Sequence, residues 1–174
     1  MTQTARGVAI RSYRPSDHSA CRRLWAELTE HRRGLFGDPA YGGRDPGAGF
    51  EEYLTQLNLS GMWVADDEDE GPIGFVGLKL DGREGEVDPV VVTAARRGRG
   101  VGRALLARVA EEGRRRGLTR LTVSPSVRDV SALHMLHAAG FDTLATLTLS
   151  LDVTGRAAGA AHGHLDVRDL RFAT

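Results

Sequence analysis

The sequence predicts one mixed α/β domain, and three observations predict it. Helix-like and strand-like hydrophobic periods interleave along the chain. Short polar turns join consecutive strands in its middle. One strand runs through a glycine-rich turn straight into a long helix. The 174 residues make about one domain, and the 41% hydrophobic share is enough for a core. No run approaches the roughly 20 apolar residues of a membrane-spanning helix. Lys+Arg and Asp+Glu are both 23, and a net charge of zero argues against gripping nucleic acid or an anionic membrane by bulk charge. The first seven residues carry no apolar signal region. One cysteine, Cys21, excludes an intrachain disulfide or a multi-cysteine metal site. A cytoplasmic chain is expected.

Taken in order, residues 9–13 alternate apolar and polar and predict a first strand. Pro15, Ser16 and Asp17 give a turn and a helix N-cap. Over 18–33, Ala20, Leu24 and Leu28 recur every four positions on one helix face. A glycine-rich loop with Pro39 and Pro46 is expected over 34–49, then a short helix over 50–59. Residues 61–65 and 73–80 predict strands joined by the acidic turn 66–71. Its five consecutive carboxylates lack the alternate spacing of a calcium loop and read as a solvated hairpin tip. Residues 84–93 predict another strand, interrupted at Pro89, which cannot donate to a ladder. Val101, Leu105 and Val109 form the stripe of a long helix, with Arg114, Arg115 and Arg116 suited to the negative end of its dipole. A strand over 119–124, a helix over 129–139 closed by Gly140, and one or two Thr- and Leu-rich strands over 141–153 complete a domain spanning 1–153. The tail, 154–174, opens as a small-residue linker. It offers 165–167 as a short strand, or an arm for a homodimer.

The turn reads Arg97-Gly98-Arg99-Gly100-Val101-Gly102-Arg103. The first turn of a helix has backbone N–H groups without intrahelical partners, and the dipole adds about half a positive charge there. Glycines let several N–H groups converge on one phosphate, and Arg97, Arg99 and Arg103 add charge. A Walker-type loop needs a lysine in the turn, but the only lysine, Lys79, lies on a strand. A dinucleotide fingerprint needs glycine at its sixth position, where Arg103 or Leu105 stands.

With these residues the sequence resembles the GNAT N-acetyltransferase superfamily. That family carries Gln/Arg-x-x-Gly-x-Gly/Ala after its fourth strand, and Arg97, Gly100 and Gly102 match it. A later helix often carries Asn-x-x-Ala-x-x-x-Tyr-x-x-x-Gly-Phe, and Asp129, Ala132, Leu136, Gly140 and Phe141 stand at those positions. The resemblance covers about the first 150 residues. It implies a mostly antiparallel central sheet flanked by helices, with a splayed parallel strand pair at the centre. It implies acetyl-CoA as cosubstrate and no metal. Residues Arg97, Gly98, Arg99, Gly100, Val101, Gly102 and Arg103 would hold the pyrophosphate, with Asp129 and Ala132 against the cofactor. The N–H groups of Val91 and Val92 would face the thioester carbonyl in the gap between the splayed strands. Two positions depart from the pattern. Asp129 replaces the usual Asn, and Leu136 replaces the Tyr that often protonates the departing thiolate. His134 and His137 are the nearby groups that could substitute.

Acetyl transfer to an amine needs a base, because an alkylammonium with pKa near 10.4 is about one part in 2,500 neutral at pH 7. Glu84, Glu86 and Asp88 share one face of the strand before the turn, and close carboxylates repel, which raises the pKa of one. Glu86, where several family members carry a base glutamate, is the expected base, with Asp88 second. In the family, the loop carrying Phe36 and Tyr41 would lie over the acceptor. The implied activity is N-acetylation of a primary amine on a small molecule or peptide by direct attack. The alternative is a CoA-binding sensor without catalysis.

Overall fold

Alternation in the central strands gives the sheet two apolar faces, and helices cover both. The computed structural model describes residues 7–57, 61–151, 153 and 163–173. Five strands stand in the order β1 (Val8–Ser12), β2 (Met62–Asp67), β3 (Gly71–Asp81), β4 (Glu84–Val92) and β5 (Arg120–Thr122). Neighbours are antiparallel except β4 and β5, which are parallel. The helices are α1 (His18–Phe36), α2 (Gly49–Gln56), α3 (Val101–Arg115) and α4 (Val130–Ala138). On one face Trp63, Val76, Leu78 and Val87 pack with Val101, Leu105 and Val109 of α3 and Leu136 of α4. On the other, Met62, Val64, Phe75 and Val91 pack with Cys21 and Leu24 of α1 and Phe50 and Tyr53 of α2. Full burial of each large side chain stabilises the fold by about 1.5–3 kcal/mol.

Several boundaries differ from the sequence reading. Helix α1 runs through Phe36, so Phe36 is helical and the loop begins at Gly37. Gly34 costs a helix about 1 kcal/mol relative to alanine, too little to stop it. Helix α2 ends at Gln56, and 58–60 lie outside the described residues. Asp66 and Asp67 belong to β2, leaving 68–70 as the hairpin tip. Each has a partner: Asp66 accepts from Arg11 Nε at 2.7 Å, and the buried Asp67 lies 3.2 Å from Arg96 Nη2. Strand β5 keeps only three of the six residues expected.

The strands expected over 141–153 are absent among the described residues, and Leu144, Leu147, Leu149 and Leu151 are exposed. Alternating Leu and Thr is a strand's pattern, but a strand is stabilised by cross-strand pairs, and β5 offers an edge of three residues. The linker expected from 155 lies outside the described residues. The short strand at 165–167 falls within β6 (His164–Val167), which pairs with β7 (Leu170–Ala173) as a separate hairpin.

Candidate active site

Strand β4 carries the site because its partners leave it partway along. Its first three residues pair with β5: Glu84 with Arg120, Gly85 with Leu121, and Glu86 with Thr122. From Val87 to Val92 no strand lies on that side among the described residues, so the parallel pair opens into a gap. Toward β3, Val76 faces Val90 but Leu78 faces Val87, so Gly77 opposes both Asp88 and Pro89. This is a β-bulge at the interruption expected from Pro89, and the Asp88–Pro89 peptide is cis.

Beyond the bulge the ladder resumes, and Thr93 N–H donates to Ile73 O at 2.9 Å. Antiparallel pairs alternate, so Val91 shares the β3 side with Thr93. The N–H groups of Val90 and Val92 therefore turn to the gap. Of the two amides expected there, Val92 faces the gap and Val91 faces β3.

The chain next makes a 3₁₀ turn, Ala94–Arg96, and then the glycine-rich turn. Gly98 and Gly100 have φ of +72° and +82°, which glycine adopts without steric cost. Gly100 is the N-cap of α3. Among the described residues, none of the N–H groups from Gly98 to Arg103 meets a protein acceptor; the first bond into α3 is Ala104 N–H to Gly100 O, 3.0 Å. Residues 97–100 and Arg103 are exposed, and Arg97 Nε donates to Val92 O at 3.0 Å. Val101 is buried in the core beneath the turn. A Cβ at Gly102 would lie 3.4 Å from Met135 Sδ and 3.8 Å from Val92 Cγ2, so the turn, α4 and the end of β4 meet at this point. These amides suit an anion such as a pyrophosphate.

The three carboxylates of β4 have different surroundings. Glu84 lies 3.4 Å from Arg120 Nη1. Asp88 is held by Lys79 Nζ at 2.8 Å, and the same ammonium sits 5.6 Å from the centre of the Tyr53 ring. Tyr53 Oη donates to the Asp88 carbonyl at 2.8 Å, and burial pushes its pKa up. Glu86 is exposed, and among the described residues no ion pair or hydrogen bond engages its carboxylate. Sequence reasoning missed Tyr53 and Lys79. The register that sets Lys79 opposite Glu86 brings the lysine to this face, and the pattern of neither strand alone states it.

Asp129 caps α4 through Oδ1, which accepts from Ala132 N–H at 2.9 Å, while Oδ2 lies 2.8 Å from His31 Nε2. Both oxygens are therefore engaged within the protein. Leu136 is buried, whereas His134 and His137 are exposed. Phe36, the last residue of α1, and Tyr41 in the following loop meet edge to face with centroids 5.2 Å apart. Arg33 ties that loop to α1, donating to Tyr41 O at 2.9 Å and Gly43 O at 2.6 Å. No hydrogen bond or ring contact joins Phe36 or Tyr41 to the β4 carboxylates among the described residues. A groove of about 540 Å³ runs between α1 and the glycine-rich turn, lined by Glu27, His31, Ala94 and Arg97 among others. The described residues contain no cluster of three or more His, Cys, Asp or Glu able to hold a metal ion, and no helix long and apolar enough to cross a membrane.

Solved structures share this fold. An acetyltransferase of the GNAT family from Staphylococcus aureus Mu50 superposes with a TM-score of 0.62 at 18% identity, covering 76% of this chain and 83% of that one. A putative acetyltransferase from Salmonella typhimurium, solved with its cofactor acetyl-CoA, gives 0.57 at 21% identity, over 77% and 79% of the two chains. AAC(6')-Iy in complex with the bisubstrate analogue CoA-S-monomethyl-acetylneamine gives 0.59 at 18%, over 83% and 97%. No curated protein matches the sequence. The model of the acetyltransferase (GNAT) family matches residues 18–141, and the chain that builds this splayed strand pair and glycine-rich turn belongs to that family.

Proposed function

We propose that this protein transfers an acetyl group from acetyl-CoA to a primary amine of a small molecule or peptide, by direct attack while both substrates are bound. One observation carries the reading: among the described residues the N–H groups from Gly98 to Arg103 have no protein acceptor at the start of α3, beside the gap along β4. That cradle fits a pyrophosphate, and the gap fits the arm leading from it. Two GNAT-fold structures with bound acetyl-CoA or a CoA analogue support the same donor.

When bound, acetyl-CoA supplies the activated acetyl thioester. The chain supplies the rest. Arg97, Arg99 and Arg103 add charge to the turn. The Val92 N–H, on the gap side, stabilises the oxygen that gains negative charge as the amine attacks. Glu86 takes the proton from the acceptor ammonium, offsetting a deficit of roughly 4–5 kcal/mol at pH 7. Asp88 is less suited to that task because Lys79 already holds its carboxylate. The C–N bond forms as the C–S bond breaks. One of the two protons still on the nitrogen passes to solvent and the other stays on the amide, and the thiolate, with an ordinary thiol pKa near 8.5, takes one from water. This arrangement needs no hydroxyl at position 136, where the buried Leu136 offers none.

The buried Leu136 also favours a second reading, a CoA-binding module that does not transfer. A panel of primary amines, scored for CoA release and by product mass, separates the two. The transferase releases CoA with at least one amine and adds 42 Da to it, about the mass of an acetyl group replacing hydrogen. Binding of acetyl-CoA without release across the panel would favour the sensor. Glu86→Gln is expected to lower turnover more at neutral than at alkaline pH, because alkaline solvent removes the proton unaided. An unaltered pH–rate profile would remove Glu86 from the role.

A further inference from the structure

Helix α1 touches both walls of the gap. On the β4 side, the Glu27 carboxylate accepts from Thr93 Oγ1 at 3.0 and 3.1 Å and from Ala94 N–H at 3.1 Å. On the α4 side, His31 Nε2 lies 2.8 Å from Asp129 Oδ2. Glu27 and His31 are four residues apart, one helical turn, and so lie on one face of α1. Arg128 Nη1 adds a longer contact of 3.4 Å to Leu35 O, near the same end of the helix. Among the described residues no hydrogen bond runs directly between 87–97 and 123–130. Their hydrogen-bonded connection across the gap runs through α1.

We propose that Glu27 and His31 are positioning residues that set the width of the gap where β4 parts from β5 and from the segment leading into α4, in which the pantetheine arm of the donor lies. This rests on the acetyl-CoA reading of the site. Both contacts involve a carboxylate, and hydrogen bonds to charged groups are stronger than neutral ones. Thr93 caps the 3₁₀ turn and Ala94 opens it, and its Arg96 is held by Asp67 and Glu70. The start of the phosphate turn is therefore fixed by α1 and by the β2–β3 hairpin together. Thr93 and Ala94 lie downstream of the bulge, toward the phosphate turn. Loosening either contact therefore costs donor affinity before it costs chemistry.

The test uses the full chain, with CoA as the probe in calorimetry and acetyl-CoA in steady-state kinetics. Glu27→Ala and His31→Ala are each expected to weaken CoA binding about tenfold and raise the KM for acetyl-CoA about tenfold, with kcat within about twofold. The double variant is expected to lose little more than either single one, because a link broken at one end is already broken. Glu27→Gln, which keeps an acceptor oxygen, recovers most of the affinity. If Glu27→Ala does not fold, Thr93→Val removes the hydroxyl from the other side of the contact and is expected to raise KM in the same way. Variants that bind CoA as tightly as the unmodified chain would overturn the inference alone. So would a fall in kcat without a rise in KM, or an effect confined to one of the two residues. Failure of the unmodified chain to bind CoA would overturn the donor reading, and this inference with it.

Discussion

An alanine at position 77 would place its Cβ against the Tyr53 hydroxyl and 2.6 Å from the Asp88 carbonyl oxygen. Gly77 thus admits the hydroxyl that holds the bulge. Gly77→Ala is expected to destabilise the fold by about 1–3 kcal/mol through overpacking. The urea midpoint would fall with the m-value unchanged, and turnover would fall because Asp88 and Glu86 shift together. A midpoint equal to the parent's would show that Tyr53 moves aside at no cost. Cys21 illustrates the opposite case, a group with chemistry that its surroundings suppress. Burial pushes its thiol up to about 12, so the folded protein carries almost no thiolate at pH 8. A thiol reagent is expected to label it only as fast as the chain unfolds, and fast labelling under native conditions would contradict that burial. The shared face of Glu84, Glu86 and Asp88 was legible because strand side chains alternate. The Lys79 pair with Asp88, which separates the roles of the carboxylates, was not legible. It depends on the register of two strands, which a single strand's pattern does not state.

Elements are legible where one residue forces the backbone and illegible where a neighbour decides. The glycine-rich turn belongs to the first kind. Gly100 at φ +82° is in the left-handed region, which costs other residues roughly 1–2 kcal/mol. Two substitutions there separate shape from charge. Gly100→Ala is expected to lower stability by about that amount and to weaken CoA binding modestly. Gly100→Glu adds a negative charge among amides aimed at a pyrophosphate and is expected to weaken binding at least a hundredfold, about 2.7 kcal/mol. Calorimetry with CoA reads both, and equal affinities for the two variants would take the pyrophosphate away from this turn. The region after α4 is of the second kind. Its alternating leucines carry a strand's pattern, but alternation fixes which way side chains would point, not whether a neighbour is present. The end of α1 lies beyond the expected position for a related reason. Arg33 holds the loop at Tyr41 and Gly43, a contact across 8 and 10 residues that local helix signals do not contain.

At the scale of the molecule, the sheet separates two cores, and α3 joins one core to the phosphate turn. The stripe of α3 was legible as a helical period. The charge cluster at its far end was not, since Arg114, Arg115 and Arg116 read in the sequence only as complements to the helix dipole. Glu112 is buried at 2% exposure, yet it is charged and faces Arg115, Arg116 and Arg108. The Arg115 hydrogen bond leads in lowering its pKa to about 2 from an ordinary 4.5; burial opposes this, and Arg116 adds to the lowering. Between those two values the unfolded chain binds a proton that the folded chain does not, so stability rises with pH across this window. The contribution is fully present above about 4.5 and is lost as pH falls toward 2. Glu112→Gln keeps the shape and removes the charge. It is expected to lower stability at neutral pH by about 1–3 kcal/mol, because the arginines lose an ionised acceptor. It should also make stability less steep in pH over the same acid window. The pair of measurements is chemical denaturation at pH 7 and at pH 3 for both chains. The difference between parent and variant must shrink at the lower pH. If it stays constant, Glu112 acts through packing alone, and the charge cluster does not stabilise the end of α3.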